Sequence, residues 1–207
     1  MSLLLAAESL ALGTELFTWH SIDTPVLITD RFQLDVHQRL RTRHEAHYLD
    51  QVRGGSTFRW RLSPRLTTMY GFYAQPQQIR PGNWVAGRRV FAGVELPGTV
   101  RNGVAISTRL VAERHMSTGR PDYGRYRSSV RLVFGKGRVA PYVQNELLAV
   151  RNGFHSTRNS GGLRMRITQQ LTVEAGYLYD NRRLAWGGNR QAIVTSVRWV
   201  PKSLLRH

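Results

Sequence analysis

The stretch "TDRFQLDVHQRLRTR" (residues 29–43) sorts its side chains by polarity at every second position. One set of alternate positions is apolar: Phe32, Leu34, Val36 and, beyond a polar break at Gln38, Leu40. The other set is polar or charged: Arg31, Gln33, Asp35, His37, Arg39 and Arg41. Strict alternation predicts a β-strand with one apolar and one polar face. A soluble sheet packed on a core and the wall of a membrane barrel with a wet interior both fit this pattern.

The composition is strongly basic. The 207 residues carry a formal net charge of +17, with 30 Lys and Arg against 13 Asp and Glu, and only Lys136 and Lys202 are lysines. Because arginine keeps its charge and binds carboxylates or phosphates with a planar fork, the excess indicates a polyanionic partner or a set of buried ion pairs. The absence of cysteine excludes a disulfide framework and a cysteine-ligated metal site. No apolar run approaches the roughly 18 residues of a membrane helix.

Alternating segments recur along the chain and predict an all-β protein. Strands are expected near 14–22, 30–41, 48–62, 66–75, 85–96, 104–115, 123–134, 139–149, 158–167, 171–180 and 190–200. Ten strands from 30–41 to 190–200 satisfy the even number usual in bacterial barrels, and 14–22 is then an additional strand or half of a pair. We therefore expect one barrel over 14–200, with a tail or signal remnant at 1–13 and a tail at 201–207.

The connections between these strands alternate in length. Short turns are expected at "LSPRL", "LPGTVRNG", "FGKGRV" and "ITQQL", and longer polar joins at "RTRHEAH", "AQPQQIRPGNW", "HMSTGRPDYG", "AVRNGFHSTRN" and "DNRRLAWGGNR". Short turns at one end and long loops at the other are typical of an up-and-down outer-membrane barrel, with periplasmic turns and extracellular loops.

Two features favour a membrane barrel over a soluble one. Glutamates share the arginine-rich face, where they would neutralise charge inside a lumen: Glu95, Glu113, Glu146 and Glu174. The apolar face carries aromatic residues near strand ends, as membrane barrels do at the interfaces: Trp60, Tyr70, Phe72, Phe134, Tyr177, Tyr179 and Trp199. We predict an antiparallel up-and-down membrane β-barrel of 10–12 strands in a bacterial outer membrane.

A family resemblance points the same way. The runs "ISTRLVAERHM", "YGRYRSSVRLVF", "APYVQNELL" and "STRNSGGLRMRITQQLTVEAGYLYD" resemble the bacterial domain of unknown function 2490. The matching features follow in order along the chain: Trp19; Arg109, Glu113 and Arg114; Arg125, Tyr126 and Arg127; Glu146; Arg158 and Asn159; Gly176 and Tyr177. The resemblance implies an outer-membrane β-barrel and supplies no activity.

The candidate site is a ladder of arginines and glutamates on neighbouring strands. Strands lie about 4.8 Å apart, so facing charges are within reach of ion pairing. The predicted lumen network comprises Arg109, Glu113, Arg125, Arg127, Arg131, Glu146, Arg164 and Glu174. Such a network either fills and rigidifies a narrow barrel or forms a constriction that favours anions, and both interpretations stay open.

Other functions find weaker support in the sequence. An outer-membrane lipid-modifying enzyme would need a histidine beside a nucleophile, and no Ser stands in a recognisable motif; His115 with Ser117 or Ser156 is an arbitrary pairing. His44 and His47 in "HEAH" lack an evident third metal ligand, so no metal, cofactor or catalytic residue is predicted. A soluble basic barrel binding a polyanion is the remaining alternative, although the dispersed arginines make nucleic acid an unexpected partner.

The expected partners follow from the predicted location. They are membrane lipid, the barrel assembly machinery and lipopolysaccharide, whose phosphates would meet basic residues in the loops. The loop arginines are Arg80, Arg120, Arg151, Arg158, Arg182, Arg183 and Arg190.

Overall fold

The chain forms a closed barrel of eleven long strands in a computed structural model that describes residues 15–43, 48–80, 82–151, 153–183 and 188–204. The wall strands are β1 (Glu15–Ile28), β2 (Phe32–Arg43), β3 (Tyr48–Ser63), β4 (Leu66–Ala74), β7 (Gly87–Arg101), β8 (Val104–Ser117), β9 (Arg120–Phe134), β10 (Val139–Val150), β11 (Gly153–Arg166), β12 (Leu171–Arg182) and β13 (Arg190–Trp199). Two short strands, β5 (Gln77–Arg80) and β6 (Asn83–Val85), form a hairpin between β4 and β7, and a 3₁₀ turn spans Lys202–Leu204. The prediction of an all-β membrane barrel with 10–12 strands is confirmed.

Closure of the barrel uses one parallel pair. Each wall strand runs antiparallel to its sequence neighbour, and β1 pairs with β2 on one side and with β13 on the other. The β1–β13 pair is parallel and joins Glu15 to Arg190 through Asp23 to Arg198. An up-and-down meander with an odd number of strands must close in this way, because its first and last strands point in the same direction. The segment near 14–22 is one full wall strand, so of its two expected roles the additional strand is confirmed, and the described barrel has eleven strands instead of the usual even number.

Short turns occupy one end of the barrel, the turn rim. They follow Ile28, Ser63, Arg101, Phe134 and Arg166, and the last wall strand also ends there at Trp199. The two-residue turn between β7 and β8 is Asn102–Gly103, and both residues have positive φ angles of 50° and 79°. Asn-Gly is the preferred pair for this kind of hairpin turn because both residues tolerate such angles. The predicted short turns lie at this rim.

The opposite end, the loop rim, differs in part from the predicted loops. Strands β8 and β9 are joined by residues 118–119 only, and β10 ends at Val150 with β11 starting at Gly153. Two of the predicted long joins, "HMSTGRPDYG" and "AVRNGFHSTRN", are therefore mostly strand. Their polar side chains face the wet interior, where polarity is compatible with a strand, so polarity alone did not mark a loop.

The two faces of the wall have opposite polarity, and the apolar one is outside. Large apolar side chains with much of their surface exposed ring the barrel, among them Ile22, Leu40, Phe72, Val90, Leu110, Val130, Leu147, Leu163 and Ile193. Buried charged side chains lie on the other face, including Asp35, Arg89, Glu113, Arg125, Arg158 and Asp180. A soluble barrel would have the reverse arrangement. No helix among the described residues is long and apolar enough to cross a membrane.

Aromatic side chains circle the turn rim on the outer face. Phe32 stacks with Phe58 and with Trp60 at ring-centroid distances of 5.6 and 5.9 Å. Phe134 and Trp199 stand at the turn-rim ends of β9 and β13. Membrane barrels place such girdles of aromatic residues at the lipid–water boundary.

The interior also contains two apolar clusters that the charged pattern did not predict. Met69, Tyr73, Phe91 and Val111 pack together across β4, β7 and β8. Phe17, Leu178 and Ala192 pack across β1, β12 and β13, with Trp19 and Val194 against them. The second cluster lies directly inside the parallel pair and joins the first wall strand to the last two.

Candidate functional site

A cavity of about 990 Å³ runs through the barrel interior. It contacts β8 from Ser107 near the turn rim to Ser117 at the loop rim. At roughly 3.3 Å per residue this stretch is about 33 Å long, or about 25 Å along the barrel axis for a strand tilt near 40°. The cavity therefore follows most of the height that a bilayer would cover.

The lining of this lumen cavity is strongly basic. Fifteen arginines and five carboxylates among the described residues line it. The carboxylates are Asp23, Glu95, Asp122, Glu146 and Glu174. Among the described residues, four further carboxylates are buried against the wall beside interior arginines: Asp35, Asp50, Glu113 and Asp180. Even with these included, positive side chains outnumber negative ones in the described part of the interior.

Glu113 is the centre of the predicted network. Its carboxylate accepts hydrogen bonds from Arg125 at 2.6 Å and lies 3.0 Å from Arg127 and 3.4 Å from Arg89. The Nε2 atom of His115 lies 3.1 Å from the same carboxylate. The Glu113 side chain has no exposed surface, and such a buried carboxylate persists only where several donors surround it.

Of the other predicted residues, Glu146 joins the Glu113 network through Arg127, whereas Glu174, Arg131 and Arg164 form a separate group. Glu146 lies 3.9 Å from Arg127, and Glu174 accepts a 2.7 Å hydrogen bond from Arg131 with Arg164 at 3.9 Å. Arg109 contacts neither Glu113 nor Glu146. It donates a 3.2 Å hydrogen bond to Glu95, the residue directly opposite it on β7.

Several interior ion pairs were not in the predicted set. Arg59 donates to Asp35, and Arg198 lies 3.7 Å from the same carboxylate. Asp180 binds Arg182 at 2.6 Å and Arg158 at 3.1 Å. The strand alternation places all of these residues inside, but their pairing depends on the strand register.

Four of the seven arginines expected in loops line the lumen cavity instead. They are Arg120, Arg158, Arg182 and Arg190. Their assignment to loops was wrong because the wall strands at the loop rim extend farther than their polar sequences indicated. Arginine–phosphate contacts at the loop tips would therefore involve fewer residues than expected.

One wall of the cavity carries three arginines around an aromatic ring. Arg39 and Arg53 face each other on β2 and β3, and Tyr73 pairs with Gly55 on one side and with Arg89 on the other. The guanidinium carbons of Arg39, Arg53 and Arg89 lie 5.8, 5.5 and 4.5 Å from the Tyr73 ring centroid. We call these four side chains the arginine–tyrosine cluster.

The cluster depends on a glycine. A Cβ atom at Gly55 would lie 2.8 Å from Cδ1 of Tyr73 and 2.0 Å from the Phe72 carbonyl oxygen. The missing side chain allows the Tyr73 ring to lie along the wall toward β3 and β2, where it meets the guanidinium groups.

Among the described histidines, His37 takes part in a buried chain of hydrogen bonds. The Nδ1 atom of His37 binds the Asp23 carboxylate, and its Nε2 atom lies 2.8 Å from the Thr57 hydroxyl oxygen. A carboxylate, a histidine and a hydroxyl group follow in the same order in enzymes that activate a hydroxyl nucleophile. However, Thr57 is only 2% exposed and does not line the cavity, so a substrate has no path to its hydroxyl group.

The other described histidines have hydroxyl, carboxylate or aromatic partners, and the Nδ1 atom of His20 lies 2.6 Å from the Thr195 hydroxyl oxygen. His155 lies 3.0 Å from the hydroxyl of Ser156, and both are buried. His115 stacks on Tyr123 at 4.6 Å and contacts Glu113. The segment that contains His44 and His47 lies outside the described residues. In the part of the chain that the structure describes, no group of three or more potential ligands is arranged to hold a metal ion.

Comparisons with known proteins support the fold and assign the family. The solved structure of LpxR from Salmonella typhimurium is similar with a TM-score of 0.56 at 10% identity, over 82% of this chain and 83% of that chain. The NanC porin gives a TM-score of 0.49 at 9% identity, over 80% of this chain and 86% of that chain. No curated protein matches the sequence. The family described as "Protein of unknown function (DUF2490)" matches residues 17–191, and the chain therefore belongs to that family, as the sequence motifs predicted.

Proposed function

We propose that this barrel is a narrow channel of the bacterial outer membrane that favours anions. The observation that carries the proposal is the excess of arginine over carboxylate along the lumen cavity. In a narrow, low-dielectric barrel an uncompensated guanidinium row lowers the energy of an anion and raises that of a cation.

The ion pairs support a permeation function as well as rigidity. The fully buried carboxylates Glu113, Asp35 and Asp180 each bind arginines against the wall. Other arginines remain partly accessible to the cavity: the side chains of Arg109, Arg164 and Arg198 are 38, 41 and 39% exposed. One part of the network would therefore hold the barrel open while another part contacts solutes.

The same proposal gives the barrel an orientation and partners. The loop rim would face the cell exterior and the turn rim the periplasm, as in other outer-membrane barrels. Lipopolysaccharide phosphates would then meet basic residues of the loop rim, and the barrel assembly machinery would insert the chain.

Ion selectivity in planar bilayers tests the proposal. The purified barrel is inserted between unequal KCl solutions, and the reversal potential should have the sign of a chloride-selective pathway. The double variant Arg109→Gln/Arg164→Gln should move this potential toward zero, because both side chains line the cavity.

A matched variant controls for loss of charge alone. Arg88 and Arg114 are exposed and lie on the outer face near the loop rim, so Arg88→Gln/Arg114→Gln should leave the reversal potential unchanged. A cation-selective current, an absence of current from correctly folded barrels, or equal shifts in both double variants would refute the channel.

A further inference from the structure

The arginine–tyrosine cluster contains more positive charge than its surroundings compensate. Arg39 and Arg53 occupy directly paired positions, where like charges repel. Among the described residues, no carboxylate oxygen lies within 4.0 Å of either guanidinium group. Arg53 donates to the amide oxygen of Gln51 at 2.9 Å, and Arg89 reaches Glu113 only at 3.4 Å.

Hydrogen-bond donors in the cluster are also left without acceptors. The Nε atoms of Arg39, Arg53 and Arg89 are buried and have no hydrogen-bond partner. Arg89 itself is 2% exposed, so bulk water does not solvate it freely. A buried donor that belongs to a charged group costs more when left unpaired than a buried neutral donor does. A cluster of this kind is stabilised by an anion that accepts from several donors at once.

The geometry favours a tetrahedral oxyanion over a carboxylate or a halide. Three planar guanidinium groups from three strands, β2, β3 and β7, have their central carbons 4.5–5.8 Å from the centroid of the same Tyr73 ring. One or two guanidinium groups are enough to saturate the hydrogen-bond acceptors of a planar carboxylate. A phosphate group presents oxygens in several directions and carries up to two negative charges, so it can accept hydrogen bonds from three guanidinium groups.

The position of the cluster indicates how such a group arrives. All four side chains line the lumen cavity, and the wall separates them from the lipid-facing surface. Arg39 lies four residues from the loop-rim end of β2 at Arg43. A dissolved molecule can reach this site through the lumen, while a phosphate group anchored in the surrounding membrane cannot cross the wall.

We propose that Arg39, Arg53 and Arg89 around Tyr73 form a binding site for the phosphate group of a water-soluble solute. The site deepens the proposed channel function and rests on it for the route of the solute. It would be a selective binding site along the lumen, with a higher affinity for phosphate than for chloride.

Stability in detergent measures this binding without any ion current. The wild-type barrel is unfolded by urea in sodium phosphate and, at equal ionic strength, in sodium chloride or sodium acetate. Phosphate should raise the urea midpoint above that in the other two salts, because a ligand that binds only the folded state stabilises it. Glucose 6-phosphate should have the same effect and glucose none.

Variants locate the site. Arg39→Gln/Arg53→Gln should weaken phosphate binding by about tenfold or more, the loss expected when charge-assisted hydrogen bonds are removed. Arg88→Gln/Arg114→Gln removes two positive charges from the outer face, outside the cluster, and should retain the phosphate effect. Each midpoint is compared with that of the same variant in chloride, so a general change in stability cancels.

The outcomes separate this inference from the channel proposal. Equal stabilisation by phosphate and acetate, or full phosphate binding by the double variant, would overturn the site even if chloride selectivity in bilayers holds. Conversely, phosphate binding in detergent with no bilayer current would refute the channel and leave the site in place. Lipopolysaccharide added in detergent should not displace phosphate; displacement would assign the site to a lipid headgroup and overturn the soluble solute.

Discussion

Tyr73 lies against the barrel wall because the residue beneath it, Gly55, has no side chain. Inward positions on adjacent strands compete for space in a narrow lumen, and an aromatic ring fits only where its neighbour is small. Gly71 repeats the arrangement one strand away, since a Cβ atom there would lie 2.1 Å from the Phe91 ring. Gly55 and Gly71 thus leave the space in which the Tyr73 and Phe91 rings lie. The guanidinium groups of Arg39, Arg53 and Arg89 then lie near the Tyr73 ring.

Two neighbouring glycines on β3 test this role of space. Gly55→Ala should lower the free energy of unfolding by about 1–3 kcal/mol, the usual cost of overpacking. In Gly54→Ala the added Cβ would meet nothing within 4 Å, so stability should stay the same or rise slightly as the unfolded chain loses freedom. Urea unfolding in detergent, followed by tryptophan fluorescence, gives both values. Equal losses in the two variants would show that backbone freedom, not the Tyr73 ring, requires Gly55.

At this scale the sequence predicts the face of each side chain but not its partner. Alternation alone places Arg109 and Glu113 on the inner face of β8. That Arg109 binds Glu95 while Glu113 binds Arg125 depends on which residues lie opposite one another on β7 and β9. The register is set by turns and bulges, such as the shift between Leu96 and Thr99, that one sequence does not reveal.

Among the elements, β1 shares with β13 the position in the parallel closing pair. It has an antiparallel neighbour on one side and a parallel neighbour on the other, and its inner face contributes Phe17 to the cluster with Leu178 and Ala192. Parallel pairs are slightly less stable per residue than antiparallel ones. The buried apolar contacts inside the β1–β13 pair offset that difference.

Truncation of Phe17 tests the cluster. Phe17 is 0% exposed, so Phe17→Ala should lower the free energy of unfolding in phosphatidylcholine vesicles by about 3–5 kcal/mol. Ile22→Ala on the same strand faces the lipid at 49% exposure and should cost clearly less. Unfolding is followed by the change in gel mobility between folded and denatured protein. If the lipid-facing variant loses as much stability as Phe17→Ala, the internal cluster has no special part in closure.

The strand positions were predictable because a strand in a barrel wall must alternate over its whole length. All eleven wall strands match expected segments, with most boundaries shifted by a few residues. The β5–β6 hairpin was missed because its four- and three-residue strands are too short for a periodic pattern. The parallel pairing of β1 with β13 was missed because sequence patterns mark strands and not their distant neighbours.

Two features describe the whole molecule: the strand wall is closed, and its apolar side chains face outward while its charged side chains face inward. A closed barrel has no free strand edge, and every wall strand hydrogen-bonds on both sides. The exposed outer belt requires lipid or detergent, while the charged interior requires water and counter-ions. This arrangement could be predicted from the sequence, because apolar residues alternate with polar residues, many of them arginines, along the predicted wall strands.

Gel mobility and fractionation test the whole-molecule description. Unheated protein in sodium dodecyl sulfate should migrate differently from boiled protein, because the closed hydrogen-bonded wall resists the detergent until heat opens it. In cells the protein should sediment with outer membranes and stay there through an alkaline carbonate wash. Release by that wash, or identical migration with and without boiling, would contradict a membrane-spanning barrel.

The parallel β1–β13 pair also dictates an order of assembly. Its partners, such as His20 and Thr195, stand 175 positions apart in the chain, whereas the other wall contacts join consecutive strands. Bringing such distant residues together from a random chain costs about 4–5 kcal/mol in length-dependent loop entropy, and each hairpin that forms first shortens the span still to be closed. The first wall strand made by the ribosome is therefore the one whose final contact forms last, and a chain interrupted before Arg190 would remain an open ribbon with two unpaired edges.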